Sequence, residues 1–261
     1  MKTPILILTY NRPKHLASLI KQLEIIKPKY VYISSDGPKT AQDKAGVQAC
    51  RELVENLPWK CTLKKKFNAK NLGCQRGVSS AIDWFFEQTD AGIILEDDCL
   101  PNKSFFHFCE DLLDRYRDDT RIGMISGNNF FGNSDRSADY FFSNHSLIWG
   151  WATWKDRWQD YQLSKRDGLG FINNQNTAHY LLEITSRERF SAIAATLAGK
   201  IDSWGYIWYL TNIFQHRLCI IPAHNLVSNH GFGEGATHTK YRTSQAALPT
   251  EELPKKLTHP K

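Results

Sequence analysis

Residues 92–101 read Gly-Ile-Ile-Leu-Glu-Asp-Asp-Cys-Leu-Pro, and the pattern of this stretch is the most informative about the fold. Its apolar first half has the length of a buried strand bounded by turn residues. The run ends in three consecutive carboxylates, Glu96, Asp97 and Asp98. Because buried carboxylates are costly unless they are paired or bind a cation, the stretch predicts a strand that delivers acids to a divalent-metal site. The plainer alternative is a polar strand end whose acids cap a helix before Pro101.

The chain before this stretch alternates between two hydrophobic periods. Short apolar runs predict strands, and apolar residues spaced by three and four predict helices between them. Four strands separated by helices favour right-handed crossovers and a mainly parallel sheet. Ligands of such sheets bind beyond the carboxyl ends of the strands. The polar segments that follow the strands are therefore predicted to converge on one edge: 9–12, 35–37 and 96–98.

The second half of the chain has a less regular pattern. It predicts a helix over 105–116, strands at 122–126, 140–142 and 218–221, helices within 176–199 and a further helix from 201. The Trp-rich segment 149–158 has partly helical spacing and receives no firm assignment. The tail from 229 is rich in Gly, His and Thr, and we expect it to be mobile unless a ligand orders it.

Composition is that of an ordinary globular protein, with 41% hydrophobic and 23% charged residues in 261. A net charge of +6 tolerates anionic ligands without requiring nucleic acid, so no nucleic-acid partner is expected. Neither a signal peptide nor a transmembrane segment is predicted, although peripheral contact with a membrane stays open. The six cysteines form no C-x-x-C pair, so free thiols and a cytoplasmic location are expected.

Several polar residues suit diphosphate chemistry, in which a metal neutralises the charge on a departing diphosphate. Asp36 could accept hydrogen bonds from a nucleobase imide, or serve only the turn that contains it. Arg12 and Arg76 could clamp phosphate, although either alone is as readily a surface residue. Asp202 precedes a predicted helix, where an Asp is otherwise an N-cap.

Three motifs together resemble those of GT-A fold glycosyltransferases: Thr9-Tyr10-Asn11-Arg12-Pro13, Ser35-Asp36-Gly37, and Ile94-Leu95-Glu96-Asp97-Asp98 followed by Pro101 and Phe105-Phe106. The nearest likeness is to the inverting N-acetylglucosaminyltransferase I type, among the wider relatives of bacterial family-2-like transferases. It covers residues 1–130 and continues more loosely through 201–204 and 229–233. The resemblance implies an α/β fold, with a Rossmann-like, mainly parallel sheet flanked by helices and an irregular C-terminal acceptor half.

The resemblance also implies a donor site that holds a nucleotide sugar with Mn²⁺ or Mg²⁺. Asp98 would contact the metal, and His230 or His238 would complete its shell unless both are solvent-exposed. Glu96 and Asp97 would hold the ribose and the donor sugar. The remaining nucleotide-sugar contacts implied at this site, with Arg76 as a candidate clamp, are Thr9, Asn11, Arg12 and Asp36.

On the acceptor side the same resemblance implies a role for Asp202, whereas the segment 149–158 has no clear counterpart in the family. Asp202 would be the catalytic base that deprotonates an acceptor hydroxyl as it attacks the anomeric carbon, so that one displacement inverts the configuration. Trp149, Trp151 and Trp204 are acceptor candidates, with core packing as the alternative for at least one of them. Gly231 and the glycines after it would let the segment fold over the donor.

These expectations describe an inverting, metal-dependent glycosyltransferase that moves a sugar from a UDP-linked donor such as UDP-GlcNAc to a glycan hydroxyl. The predicted organisation is one catalytic domain, 1–261, with a nucleotide-sugar half (1–126), an acceptor half (127–228) and a flexible loop and tail (229–261). A nucleotidyltransferase that forms nucleotide sugars is one alternative. A glycan-binding module without catalysis is the other.

Overall fold

The computed structural model describes residues 1–132, 137–232 and 247–260 of the chain. Within this part the predicted fold class is confirmed, because a large α/β sheet is flanked by helices. The ten strands of the described residues are β1 Ile5–Thr9, β2 Tyr30–Ser35, β3 Thr62–Phe67, β4 Ala91–Glu96, β5 Cys99–Pro101, β6 Ile122–Ser126, β7 Tyr140–Ser143, β8 Trp151–Trp154, β9 Leu218–Pro222 and β10 Val227–Asn229. The helices described are α1 Pro13–Ile26, α2 Asp43–Leu53, α3 Gly73–Phe86, α4 Lys103–Arg115, α5 Lys155–Trp158, α6 Asp160–Asn173, α7 Gln175–Ile184, α8 Arg187–Leu197 and α9 Gly205–Phe214.

The central sheet has the strand order β3-β2-β1-β4-β8-β6-β9-β7 among the described residues. Strands β3, β2, β1 and β4 are parallel to one another, as the alternation of strands and helices predicts. Beyond β4 the sheet becomes mixed, since β8 runs antiparallel to both β4 and β6. The parallel half therefore places the ends of β1, β2 and β4 side by side on one edge.

Alternating side chains of the central strands feed two cores, one on each face of the sheet. In β1, Ile5 and Ile7 join the core that contains α1 and α4, whereas Leu6 and Leu8 join the core that contains α3 and α9. Because successive strand residues point to opposite faces, a strand covered on both sides is a continuous apolar run. This explains why β1 and β4 are uninterrupted aliphatic stretches.

The segment 149–158, which has no firm assignment from the sequence, contains a strand of the central sheet. Residues Trp151–Trp154 form β8, and all four are buried between β4 and β6. Trp151, Trp158 and Trp208 pack with ring centroids 5.1–6.2 Å apart. A strand buried on both faces lacks alternation, and the following short helix gives the tryptophans their partly helical spacing.

A second, two-stranded sheet pairs β5 with β10 and was not predicted. Its register sets Asn229 opposite Cys99, so the segment after residue 229 crosses the acidic triplet. Both strands have three residues, too short for a periodic signal.

Residues 247–260 are packed, in contrast to the mobile tail that the composition suggests. Leu253 and Leu257 are buried in the core beside α4. The Glu252 carboxylate accepts hydrogen bonds from the backbone N–H groups of Lys103 and Ser104, at the start of α4. These bonds satisfy donors that a helix N-terminus leaves free, and so fasten this segment to α4.

None of the described helices is long and apolar enough to cross a membrane. All six cysteines are free thiols, as the absence of paired spacing indicates.

We expect Gly92→Ala to destabilise the fold. A Cβ at Gly92 in β4 would collide with the Phe85 ring and lie 2.9 Å from the Pro4 carbonyl oxygen. Because overpacking a close-packed core forces neighbours apart, the free energy of unfolding should fall by about 1–3 kcal/mol in urea titration. Gly170→Ala is the matched control, since nothing lies within 4 Å of its Cβ, and in helix α6 it should stabilise by up to about 1 kcal/mol. Equal stability of the two variants would contradict the packing assigned to Gly92.

Candidate functional site

The carboxyl ends of β1, β2 and β4 open into a cavity of about 340 Å³. The N-terminal turn of α3 and the segments 148–149, 202–204 and 229–232 complete its described walls. The predicted convergence of three polar segments is thus present, and a fourth wall comes from the C-terminal half. Its titratable lining includes five carboxylates and two cations among the described residues: Asp36, Glu96, Asp97, Asp98, Asp202, Arg12 and Lys39.

Arg12 joins the first strand–helix turn to the acidic triplet. Its guanidinium lies 2.5 Å from Asp97 Oδ1 and donates to Asp98 Oδ2 at 2.7 Å. Burial disfavours the charged guanidinium, but the Asp97 and Asp98 carboxylates outweigh it and raise the pKa of Arg12. Arg12 therefore stays charged and partly neutralises the triplet.

Asp97 is a buried anchor of this turn. It is 1% exposed, and its Oδ2 accepts from the Thr9 hydroxyl at 2.9 Å and the Tyr10 N–H at 3.3 Å. Burial raises the pKa of Asp97 although Arg12 opposes this. Thr9, Tyr10 and Arg12 already contact its oxygens, and direct contact of Asp97 with donor hydroxyls stays a prediction. Its observed contacts hold Thr9 and Arg12 at the cavity.

Glu96, at the end of β4, differs from Asp97 in its surroundings. Burial, followed by the charge of Asp98, raises the pKa of Glu96 to about 8. The Trp204 side chain hydrogen-bonds the Glu96 carboxylate and opposes this shift. Glu96 is therefore a carboxyl that can be protonated near neutral pH and act as a hydrogen-bond donor within the cavity.

Asp36, after β2, is fixed by three donors. Its Oδ1 accepts from the Gly37 N–H at 2.9 Å and the Asn68 amide at 3.1 Å, and both oxygens lie within 3.1 Å of the Leu72 N–H. These bonds tie the end of β2 to the start of α3. Oδ2 accepts from a single backbone donor, so it retains capacity for a further N–H from the cavity.

Asp202 lies at the cavity, but its carboxylate caps a helix of the other half. Its Oδ2 accepts from the Cys74 N–H and its Oδ1 from the Gln75 N–H, both at 2.8 Å. These are free donors of the α3 N-terminus, whose dipole favours an anion. The sequence-based alternative was a cap of the following helix, α9, and α9 has no side-chain cap.

The segment after β10 closes over Asp98. The His230 N–H donates to the Asp98 carbonyl oxygen at 2.9 Å, and Gly231 lies so close that a Cβ there would collide with the Asp98 carboxylate. The His230 side chain is exposed and is not among the residues that line the cavity, and its place in a metal shell stays a prediction. His238, the alternative, lies outside the described residues.

The cavity suits a divalent cation in charge and donor type, although a complete protein cage is lacking. No group of three His, Cys, Asp or Glu within residues 1–132, 137–232 and 247–260 is placed to hold a metal. Mg²⁺ usually binds through one or two carboxylates together with substrate phosphates. Asp98 can serve in that way, because it lines the cavity together with Glu96, whose pKa it raises.

Aromatic side chains form the wall opposite the acids. Trp149 lines the cavity between Phe130 and Phe232, with edge-on ring contacts of 4.8 Å and 5.5 Å. Trp151 was predicted as an acceptor contact, but it is 1% exposed and stacks on Trp204 inside the core. Its position in the central strand β8 explains this error. Trp204 is also buried, and it borders the cavity only beside Glu96.

Two further predicted contacts lie outside the cavity lining. The Asn11 amide donates to Asp43 Oδ1 at 2.7 Å and thereby ties the β1–α1 turn to α2. Arg76 is exposed on α3. Sequence reading missed several lining residues, among them Tyr10, Lys39, Asn71, Cys74 and Phe232. Of these, Asn71 and Cys74 follow β3 and could have been found by extending the strand-end rule to that strand.

No protein-family model matches the chain. No curated protein matches it either. Among solved structures, HddC from Yersinia pseudotuberculosis is 11% identical, with 59% of this chain and 77% of that chain covered and a TM-score of 0.40. A putative glucose-1-phosphate thymidylyltransferase from Bacillus anthracis is 9% identical, with 69% and 82% covered and a TM-score of 0.39. The glycosyltransferase GlyE of Streptococcus pneumoniae is 9% identical, with 76% and 49% covered and a TM-score of 0.34. Likenesses this low carry no inference about function.

We expect the stability of the metal-free protein to fall as pH rises from 5 to 8, partly through Glu96. Its pKa is about 8 in the folded state against an ordinary 4.5, so in this range the folded state holds a proton that the unfolded state has lost. The free energy of unfolding therefore decreases with pH. Glu96→Gln should reduce the change in the free energy of unfolding between pH 5 and pH 8 by on the order of 2 kcal/mol, measured by urea unfolding in EDTA. Glu24→Gln, an exposed position, is the control and should keep the wild-type slope. An unchanged slope in Glu96→Gln would contradict the protonation of Glu96.

Proposed function

We propose that the protein is a metal-dependent glycosyltransferase, which moves a sugar from a nucleotide-diphosphate donor, UDP-linked, to a hydroxyl of a glycan acceptor. The observation that carries this proposal is the charge of the cavity. Five carboxylates and two cations line its described walls. An anionic diphosphate is repelled from such a cavity unless a divalent cation enters with it.

The donor half offers separate groups for each part of a nucleotide sugar. Asp36 Oδ2 can accept an imide N–H, which uracil presents. Glu96 offers a carboxyl for sugar or ribose hydroxyls, and Arg12 offers a guanidinium for phosphate if it releases Asp98. Asp98 would hold Mn²⁺ or Mg²⁺ together with the donor phosphates, and the bound metal would stabilise the negative charge of the leaving diphosphate.

The acceptor half supplies Trp149 and Asp202. Trp149 and Phe232 form an apolar wall against which a sugar ring can lie. Asp202 is the carboxylate that this half contributes to the cavity, and we assign it the role of base toward the acceptor hydroxyl. Each of its oxygens accepts one α3 N–H and so retains a lone pair that can take the acceptor proton. Inversion at the anomeric carbon follows from a single displacement.

Nucleotidyl transfer, which forms a nucleotide sugar from a nucleoside triphosphate and a sugar phosphate, is the second candidate. The observation in its favour is that the two lining cations, Arg12 and Lys39, both follow strands of the nucleotide-binding half. The turn after β1 lacks the Gly-rich form that would wrap a triphosphate. Incubation with UTP and glucose 1-phosphate separates the two, because only nucleotidyl transfer releases inorganic diphosphate, whereas glycosyl transfer releases a nucleoside diphosphate.

The direct test is a thermal-shift screen of nucleotide sugars with Mn²⁺ or with EDTA. A ligand that binds only the folded state raises the melting temperature, and we expect this rise with UDP-sugars only when Mn²⁺ is present. Asp98→Asn should lose the Mn²⁺-dependent rise and reduce UDP-sugar hydrolysis by about a hundredfold or more.

Asp118→Asn is the matched control, because Asp118 is an exposed carboxylate remote from the cavity lining. It should behave as the wild type. If UDP-sugars stabilise the protein equally in EDTA and in Mn²⁺, the proposed metal dependence is contradicted. If no nucleotide sugar stabilises the protein, the proposed donor is contradicted.

Asp202→Asn tests the base separately from the donor site. Donor affinity, measured by calorimetry, should stay within about threefold of wild type, while transfer to acceptor falls by about a hundredfold or more. The melting temperature should drop slightly, because an amide can accept only one of the two α3 N–H bonds. Loss of donor binding together with transfer would instead show that Asp202 serves to hold α3 in place.

A further inference from the structure

A cluster of polar and aromatic side chains lies beside the cavity and takes no part in the proposed chemistry. It consists of Phe131, His145, Arg189 and Tyr209, and we refer to it as the Arg189 cluster. His145 lies on the segment that carries Trp149 into the cavity, and Tyr209 lies on α9, which directly follows Trp204. The cluster therefore shares two chain segments with the acceptor wall.

The contacts of Arg189 fix the orientation of His145. The guanidinium lies 3.0 Å from His145 Nδ1 and 4.9 Å above the Tyr209 ring centroid. Because a guanidinium only donates, Nδ1 must accept, and the ring proton is then on Nε2. Burial and the positive charge of Arg189 lower the pKa of His145, which agrees with a neutral ring. Within the described residues no hydrogen bond engages Nε2, so this N–H is available to a ligand.

Among the described residues, the positive charge of Arg189 has no partner of opposite sign. The side chain is half-buried, and none of the carboxylates in the described part of the chain forms an ion pair with it. Arg189 also lies in the first turn of α8, where the helix dipole disfavours a cation. A half-buried cation in this position weakens the fold unless an anion binds it.

Aromatic surface adjoins this unpaired charge. Phe131 is 50% exposed, and its ring lies 6.1 Å from the His145 ring and 5.9 Å from the Phe141 ring. Aromatic faces are the surfaces on which the apolar faces of sugar rings pack. Exposed ring, guanidinium and free imidazole N–H together match a sugar that carries an oxyanion.

We propose that the Arg189 cluster is a second binding site, which takes a carboxylate or phosphate attached to a sugar of the acceptor. Arg189 binds the oxyanion, His145 Nε2 donates to a hydroxyl oxygen of the same sugar, and Phe131 packs on the ring. The acceptor part of this proposal rests on the proposed function. The binding site itself rests only on the cluster.

The test measures binding of three probes by saturation-transfer NMR in metal-free buffer: methyl β-D-glucuronide, glucose 6-phosphate and neutral methyl β-D-glucoside. We expect at least one anionic probe to bind about tenfold more tightly than the glucoside, and the two anionic probes distinguish a uronic acid from a sugar phosphate. Arg189→Gln should abolish this preference. Arg166→Gln is the matched control, because Arg166 is exposed on the neighbouring helix α6 and already paired with Asp167. Equal binding of all three probes, or an unchanged preference in Arg189→Gln, would overturn the site.

Phe131→Ala provides a variant whose folding is not at risk, since half of the side chain is exposed. It should weaken glucose 6-phosphate several-fold and leave inorganic phosphate unchanged. If the variant loses affinity for glucose 6-phosphate and for inorganic phosphate equally, the proposed contact of Phe131 with the sugar ring is contradicted. If the anionic probes bind as expected but no nucleotide sugar stabilises the protein, the site stands, and its assignment to a glycosyl acceptor is overturned together with the proposed function.

Discussion

The ion pairs of Arg12 with Asp97 and Asp98 are the interaction on which the site depends. They join the turn after β1 to the end of β4, two segments that are 85 residues apart in sequence but neighbours in the parallel sheet. Without Arg12, Asp97 would be a buried carboxylate with only Thr9 and Tyr10 on its oxygens. Breaking a buried pair leaves an uncompensated charge, which costs far more than the pair contributes. The guanidinium therefore makes the acidic cavity compatible with a stable fold.

The cavity is built by contacts that cross between the two halves of the chain. Asp202 caps α3, β10 pairs with β5, and the Gly231 segment passes over Asp98. Each contact joins a residue after 200 to one before 110, so the site forms only when both halves fold together.

The site residues that the sequence predicts correctly are positioned by the pairing of neighbouring strands. Those that it predicts incorrectly are positioned by contacts with segments that are distant in the sequence. Asp36, Glu96 and Asp98 follow strands, and parallel pairing of β1, β2 and β4 brings such ends together whatever else the chain does. Asn11 is in the same motifs, yet its side chain binds Asp43 and does not line the cavity, whereas Asp97 lines the cavity and also holds Thr9 and Arg12. Trp151 is buried because β8 inserts into the sheet centre, and no local pattern distinguishes such a strand from other apolar segments. The Arg189 cluster draws on four separate segments and has no motif.

The sequence alone predicts the α/β alternation, the parallel order of the first four strands and the carboxylates at the sheet edge where these strands end. These follow from hydrophobic period and crossover handedness, which act over a few tens of residues. The hydrogen-bond partners of these carboxylates are visible only in the tertiary structure. The Asp97 carboxylate is held by Thr9, Tyr10 and Arg12, Asp202 is bound to α3, and the His230 N–H donates to the Asp98 carbonyl oxygen. The reason is that a carboxylate takes whichever donors the packed chain brings within 3 Å, and those donors come from distant segments.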